Sequence, residues 1–263
     1  MEKIEVLKPS FISLFLTFQF NGQPIAVATG FLLNLRIGGY VLVTARHNVT
    51  GRNNLTGEFL SPKGAIPNEV IISHNRIDGL GTWIKCKEKL YLFDEQPRWH
   101  EHPVLKNRAD FIALPLTQLH NVEIHSYDLN RENSFIIKPT DMVSVVGFPF
   151  GITVGGGLGI WATGFVASEP GMNYEDLPIF LIDCRTRQGQ SGSPVIAHRN
   201  PGASCLTTHG SGMVQSLTGK ISDSELLGVY SGRVNAESDI GMVWKLSAIK
   251  EMLDSIPPKL LIL

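Results

Sequence analysis

Short apolar runs rich in β-branched and aromatic residues recur along this chain, at 11–20, 25–35, 40–44, 111–116, 142–146 and 179–182. Runs of this length, bounded by turn residues, read as strands. The boundaries are Asn21-Gly22, Gly38-Gly39, Pro149-Phe150-Gly151 and Gly155-Gly156-Gly157, which supply the fixed or left-handed backbone that turns require. Helical spacing stands out near the end, where Leu246, Ile249 and Leu253 repeat within 245–256 before Pro257-Pro258 stops them. Many short strands with one terminal helix predict an all-β architecture of barrels or a sandwich, rather than a parallel sheet with crossover helices.

The polar stretch 118–138, with Asn121, Asp128, Asn130 and Asn133, reads as a connection. It divides the chain into halves at 1–120 and 138–263, with 121–137 as the linker. A second polar stretch, 199–224, reads as a long surface loop. Neither internal repeats nor low-complexity segments interrupt this pattern.

Composition narrows the function classes. Apolar residues make up 43% and charged residues 18%, the balance of an ordinary globular chain. A net charge of −1 provides no global field toward nucleic acid or an anionic membrane. No basic stripe with interleaved aromatics marks a nucleic-acid surface, and no apolar run approaches the roughly 20 residues that span a bilayer. Cys86, Cys184 and Cys205 are too few and too scattered for a disulfide framework or a zinc ribbon, so buried free thiols are expected. The segment from Met1 to Pro9 lacks the basic and apolar blocks of a secretion signal. A cytoplasmic, reducing location is the resulting expectation.

Three local patterns then carry chemistry. Val43-Thr44-Ala45-Arg46-His47 runs a strand into a turn bearing a histidine. Ala109-Asp110-Phe111-Ile112-Ala113-Leu114 sets an aspartate at the head of an apolar strand. Gly189-Gln190-Ser191-Gly192-Ser193-Pro194-Val195 places a serine among glycines. A serine hydroxyl is a poor nucleophile until an imidazole takes its proton. The imidazole in turn needs a carboxylate to hold its tautomer and stabilise its charged form. Glycines let the backbone turn tightly and aim amides at a developing oxyanion, here the N–H groups of Gly189 and Ser191. Asp78 and Asp94 are the rival carboxylates, but neither precedes so apolar a strand. His100 and His102 flank Glu101 without a partner cluster, so no metal is expected.

These motifs resemble those of the chymotrypsin-like serine peptidases: Thr-Ala-x-His, Asp-Ile-Ala-Leu-Leu and Gly-x-Ser-Gly-(Gly/Ser)-Pro. The matching residues are His47, Asp110 and Ser191, in that family's chain order. Further likeness lies in residues 145–149, 162–168 and 227–232. The Gly192-Ser193-Pro194 ending is similar to the bacterial glutamyl endopeptidase and HtrA-type branch. The resemblance implies two six-stranded antiparallel β-barrels with a C-terminal helix, the first carrying His47 and Asp110, the second Ser191. It implies a serine endopeptidase acting on protein or peptide substrates through an acyl-enzyme, without a cofactor. A bacterial or phage-related setting, with a protease-activated partner protein, is what the nearest resemblances suggest.

Two departures stand out. Digestive members place an aspartate just before the serine, to pair with a freshly cut N-terminus, whereas this chain has Gln190. The family's disulfides are absent. By the same resemblance Arg185, Thr186, Arg187 and Gln188 line the specificity pocket, Tyr230 stands on the pocket strand, and Ser231, Gly232 and Arg233 pair with substrate. Thr186 stands where the glutamate-cutting branch carries a pocket threonine, but Tyr230 replaces that branch's histidine. An acidic or amide side chain before the scissile bond is the expectation, and Arg185 argues against a basic one. The alternatives are a catalytically silent peptide-binding module on the same fold and an esterase-type hydrolase.

Overall fold

The structure, a computed structural model, describes residues 5–36, 38–79, 81–130, 134–208, 214–218 and 223–257. A single turn, α1 (Lys8–Ile12), precedes the first strand, β1 (Leu14–Phe20). The apolar run at 11–20 is therefore not one strand. Pro9 starts the turn, and Ser13 ends it by donating its hydroxyl to the Val146 carbonyl at 2.8 Å.

β2 (Gln23–Asn34) returns from β1 across Asn21-Gly22, both at positive φ, as a tight hairpin requires. With β3 (Tyr40–Thr44), β4 (Glu69–Asn75), β5 (Trp83–Lys89) and β6 (Ile112–Pro115) they form an antiparallel sheet in the order β5-β4-β1-β2-β3-β6. Between β3 and β4 lies a short helix, α2 (Arg46–Thr50). A bridge between His100 and Ala113 brings the segment after β5 back onto β6. The connection read at 118–138 contributes β7 (Ser126–Tyr127), which joins β2 in parallel.

The second half holds β8 (Ser134–Phe135), β9 (Met142–Gly147), β10 (Ile160–Val166), β11 (Ile179–Asp183), β12 (Pro194–Arg199), β13 (Ser204–Thr208), β14 (Val214–Thr218), β15 (Asp223–Arg233) and β16 (Ile240–Lys245). Six of them close a barrel in the order β10-β11-β16-β15-β12-β9. The stretch 199–224, expected as a loop, instead contains the β13–β14 hairpin, which β8 joins as a third strand. Its polar side chains hid the strand pattern, because ladder hydrogen bonds satisfy the backbone whatever side chains it carries.

Each sheet has its own core, and a third apolar cluster lies between them. Phe31, Val43 and Phe111 from the first half meet Val146, Ile196 and Trp244 from the second. The Phe111 and Trp244 ring centroids are 5.3 Å apart. The terminal helix α3 (Leu246–Asp254) covers this cluster with Ala248, Ile249, Met252 and Leu253. This is the chymotrypsin-like fold, mostly β with a short C-terminal helix, and the shared core keeps the residues that flank its two halves in register.

Candidate active site

His47 lies on α2, directly after the buried end of β3, and Asp110 stands just before β6, the neighbour of β3 in the sheet. Strand pairing therefore sets the two residues side by side. One carboxylate oxygen of Asp110 accepts the His47 backbone N–H at 3.0 Å, and the other lies 2.7 Å from Nδ1. Both side chains are largely buried, 15% and 13% exposed. Burial opposes the charged imidazole, but the charge and hydrogen bond of Asp110 outweigh it and hold the pKa above 6.5. The rivals do not converge on this site: Asp78 pairs with Arg76 on the surface, and Asp94 caps the Gln96 N–H.

Ser191 reaches the same place from the other half. Its backbone carbonyl accepts the Thr29 N–H at 3.1 Å and Asn48 Nδ2 at 3.2 Å, and Asn48 sits beside His47 on α2. Ser191 Oγ makes no hydrogen bond among the described residues. In the turn around it, the N–H groups of Gln190, Gly192 and Ser193 donate to Arg187 O, Tyr230 O and Gln190 O. Those of Gly189 and Ser191 have no partner among the described residues. Gly189 and Gly192 adopt φ of 95° and 86°, left-handed values that a side chain would strain. A Cβ on Gly192 would also strike the Thr29 carbonyl.

The arrangement joins a carboxylate, an imidazole, a serine and two unengaged amides across two sheets. The family described as trypsin-like peptidase domain matches residues 28–200. The chain belongs to this family. No curated protein sequence matches it. Among solved structures, a serine endoprotease from Yersinia pestis is similar at 11% identity with a TM-score of 0.49, over 97% of this chain and 64% of that one. This chain thus spans less than two thirds of that protein. A protease from M. tuberculosis, in two structures of its inactive form, is 16% identical with TM-scores of 0.45 and 0.44. Those alignments cover 95% of this chain and 87% and 89% of the other.

In this trypsin-like peptidase domain, the residues expected to line the pocket separate into two groups. Thr186 and Tyr230 are buried and joined by a hydrogen bond between their hydroxyls. Burial pushes the Tyr230 phenol up to about 12, so it stays neutral at ordinary pH. The Tyr230 backbone bonds to Gly192 and Ser193, which brings β15 against the Ser191 turn. Ser231 is also buried, at a register shift of β15, with Gly232 beside it. Arg185, Arg187, Gln188 and Arg233 are exposed. Arg185 and Arg187 each lie 3.5 Å from an oxygen of Asp239, which ties both to the rim.

Glu101 and His102 serve separate tasks. Glu101 holds Arg46 at 2.8 Å, and His102 Nδ1 accepts the Val104 and Leu105 N–H groups. Residues that no motif assigned to the site are Thr29, Asn48 and Phe150, each of which holds a carbonyl of residues 188–191. Asn48 follows His47 directly, but nothing near Thr29 in the sequence signals its place.

Proposed function

We propose that this chain is a serine endopeptidase using His47, Asp110 and Ser191. The observation that carries the reading is the Asp110–His47 pair, linked at 2.7 Å, beside a serine turn with two unengaged amides. Asp110 keeps the proton on Nδ1 and leaves Nε2 as the acceptor. Ser191 Oγ attacks the scissile carbonyl as its proton passes to Nε2, and the Gly189 and Ser191 N–H groups receive the oxyanion. The imidazolium then protonates the leaving amine as the C–N bond breaks, producing the acyl-enzyme. Water, deprotonated by the same imidazole, releases the acid and restores Ser191. Neither a metal nor a cofactor takes part in this scheme.

For the side chain before the scissile bond, a neutral amide is the better fit than a carboxylate. The buried Thr186–Tyr230 pair offers hydroxyls without charge, while Arg185 and Arg187 share the single carboxylate of Asp239 and Arg233 is exposed. A carboxylate reaching that buried pair would lose water with only hydroxyls in contact to replace it.

The test is labelling with a fluorophosphonate, followed by turnover of peptides and esters. Wild type should label and cleave peptides, and Ser191→Ala should do neither while keeping its thermal midpoint. Absence of labelling in a folded wild type would favour the binding module, and turnover of esters alone would favour an esterase.

A further inference from the structure

An oxyanion hole works only if its two amides point the same way before the charge develops. Each amide belongs to a planar trans peptide, so holding the carbonyl of that peptide orients the N–H opposite to it. In the Ser191 turn every carbonyl from Gln188 to Ser191 is held. Gln188 O accepts the Phe150 N–H at 2.6 Å, and Gln190 O accepts the Ser193 N–H at 3.0 Å. These two bonds orient the Gly189 and Ser191 amides.

The peptide between them, and the one that follows Ser191, are fixed by Thr29, a wholly buried residue of β2. Its backbone N–H holds Ser191 O, and its hydroxyl donates to Gly189 O at 2.8 Å. The same hydroxyl oxygen accepts the Phe148 N–H at 3.1 Å, which commits its proton to Gly189. Gln190, also wholly buried, closes the turn from inside. Its side-chain Oε1 accepts the Arg187 N–H at 2.8 Å, and its own N–H donates to Arg187 O at 3.2 Å.

We propose that the Thr29 hydroxyl and the Gln190 carboxamide are positioning residues that preset the Gly189 and Ser191 amides as a formed oxyanion hole before substrate arrives. The proposal rests on the serine peptidase reading. Neither side chain touches the reacting atoms; each acts by holding one carbonyl or one amide of the turn. Thr29 also makes the geometry depend on both halves of the molecule, since it stands on the first sheet and the turn on the second.

The experiment compares Thr29→Val, which keeps shape and loses the hydroxyl, with Thr29→Ser, which keeps the hydroxyl. Gln190→Met, which keeps length without the acceptor, is compared with Gln190→Glu, which keeps an acceptor oxygen. The readouts are kcat and KM on a peptide, the second-order rate of fluorophosphonate labelling, and the thermal midpoint. Thr29→Val and Gln190→Met should lose about 10²-fold in kcat and in labelling rate, with KM within about threefold, the loss that misplaced but present groups produce. Thr29→Ser and Gln190→Glu should recover most of that loss. Folded Thr29→Val and Gln190→Met with wild-type kcat would overturn the proposal, as would a deficit confined to KM. If Thr29→Val does not fold, the Gln190 pair decides alone. A folded wild type that neither labels nor cleaves would instead overturn the peptidase reading, and this proposal with it.

Discussion

Asp110→Asn changes one atom's role and removes one charge. The His47 backbone N–H, 3.0 Å from Oδ1, still needs an acceptor, so the amide oxygen must stay there. That orients the new NH₂ group toward Nδ1, where a carboxylate oxygen stood at 2.7 Å. A donor facing Nδ1 makes that nitrogen the acceptor and moves the ring proton to Nε2, which in the proposed scheme can then no longer take the Ser191 proton. The same exchange in a Ser-His-Asp triad typically lowers kcat about 10⁴-fold, or about 5.5 kcal/mol, and a loss of that order is expected here. The pH profile supplies an independent sign. Burial lowers the His47 pKa, and only the charge and hydrogen bond of Asp110 lift it above 6.5. With the carboxylate gone, burial alone remains, so the acid limb of kcat/KM should move to lower pH as the plateau falls. The assay is peptide hydrolysis from about pH 5 to about pH 9, with thermal midpoints to establish folding. A folded variant whose plateau stays within tenfold of wild type, or whose acid limb moves upward, would refute the reasoning.

Two further outcomes are expected. His74 shares the buried face of β4 with Val70 and Ile72, and burial lowers its pKa to about 4. The unfolded chain takes that proton near pH 6.5, so stability is full above this value and declines by up to about 3 kcal/mol as pH falls to about 4. Urea unfolding of His74→Leu in a Ser191→Ala background should show a shallower decline than the background alone, and an equal decline would count against it. A peptide library read by mass spectrometry should show cleavage after Gln or Asn that survives neutralising Arg185 or Arg187. Cleavage after Glu or Asp that collapses with either arginine would reverse the pocket assignment, and cleavage after Lys or large aromatics would end it.

The residue types of the candidate site were legible because their chemistry is local. A histidine where a strand turns, an aspartate heading an apolar strand and a serine among glycines are each specified by covalent neighbours. The strands at 40–44 and 142–146 and the terminal helix were legible for the same reason, since period and turn residues lie within one short window. Tertiary structure alone set Asp110 against His47 and left Asp78 on the surface, because β3–β6 pairing joins residues 63 apart in the chain. It alone turned the polar 199–224 stretch into a hairpin. Facing directions were equally beyond the sequence: Thr186 turns inward to meet Tyr230, whereas Arg185 turns out to Asp239 with 84% of its side chain exposed. Thr29 is the clearest case. It sits in an unremarkable β strand, and its role follows from a hydroxyl meeting a carbonyl 160 residues away. Local pattern specifies elements and reactive groups, but partners that far apart meet only when two sheets pack on a shared core.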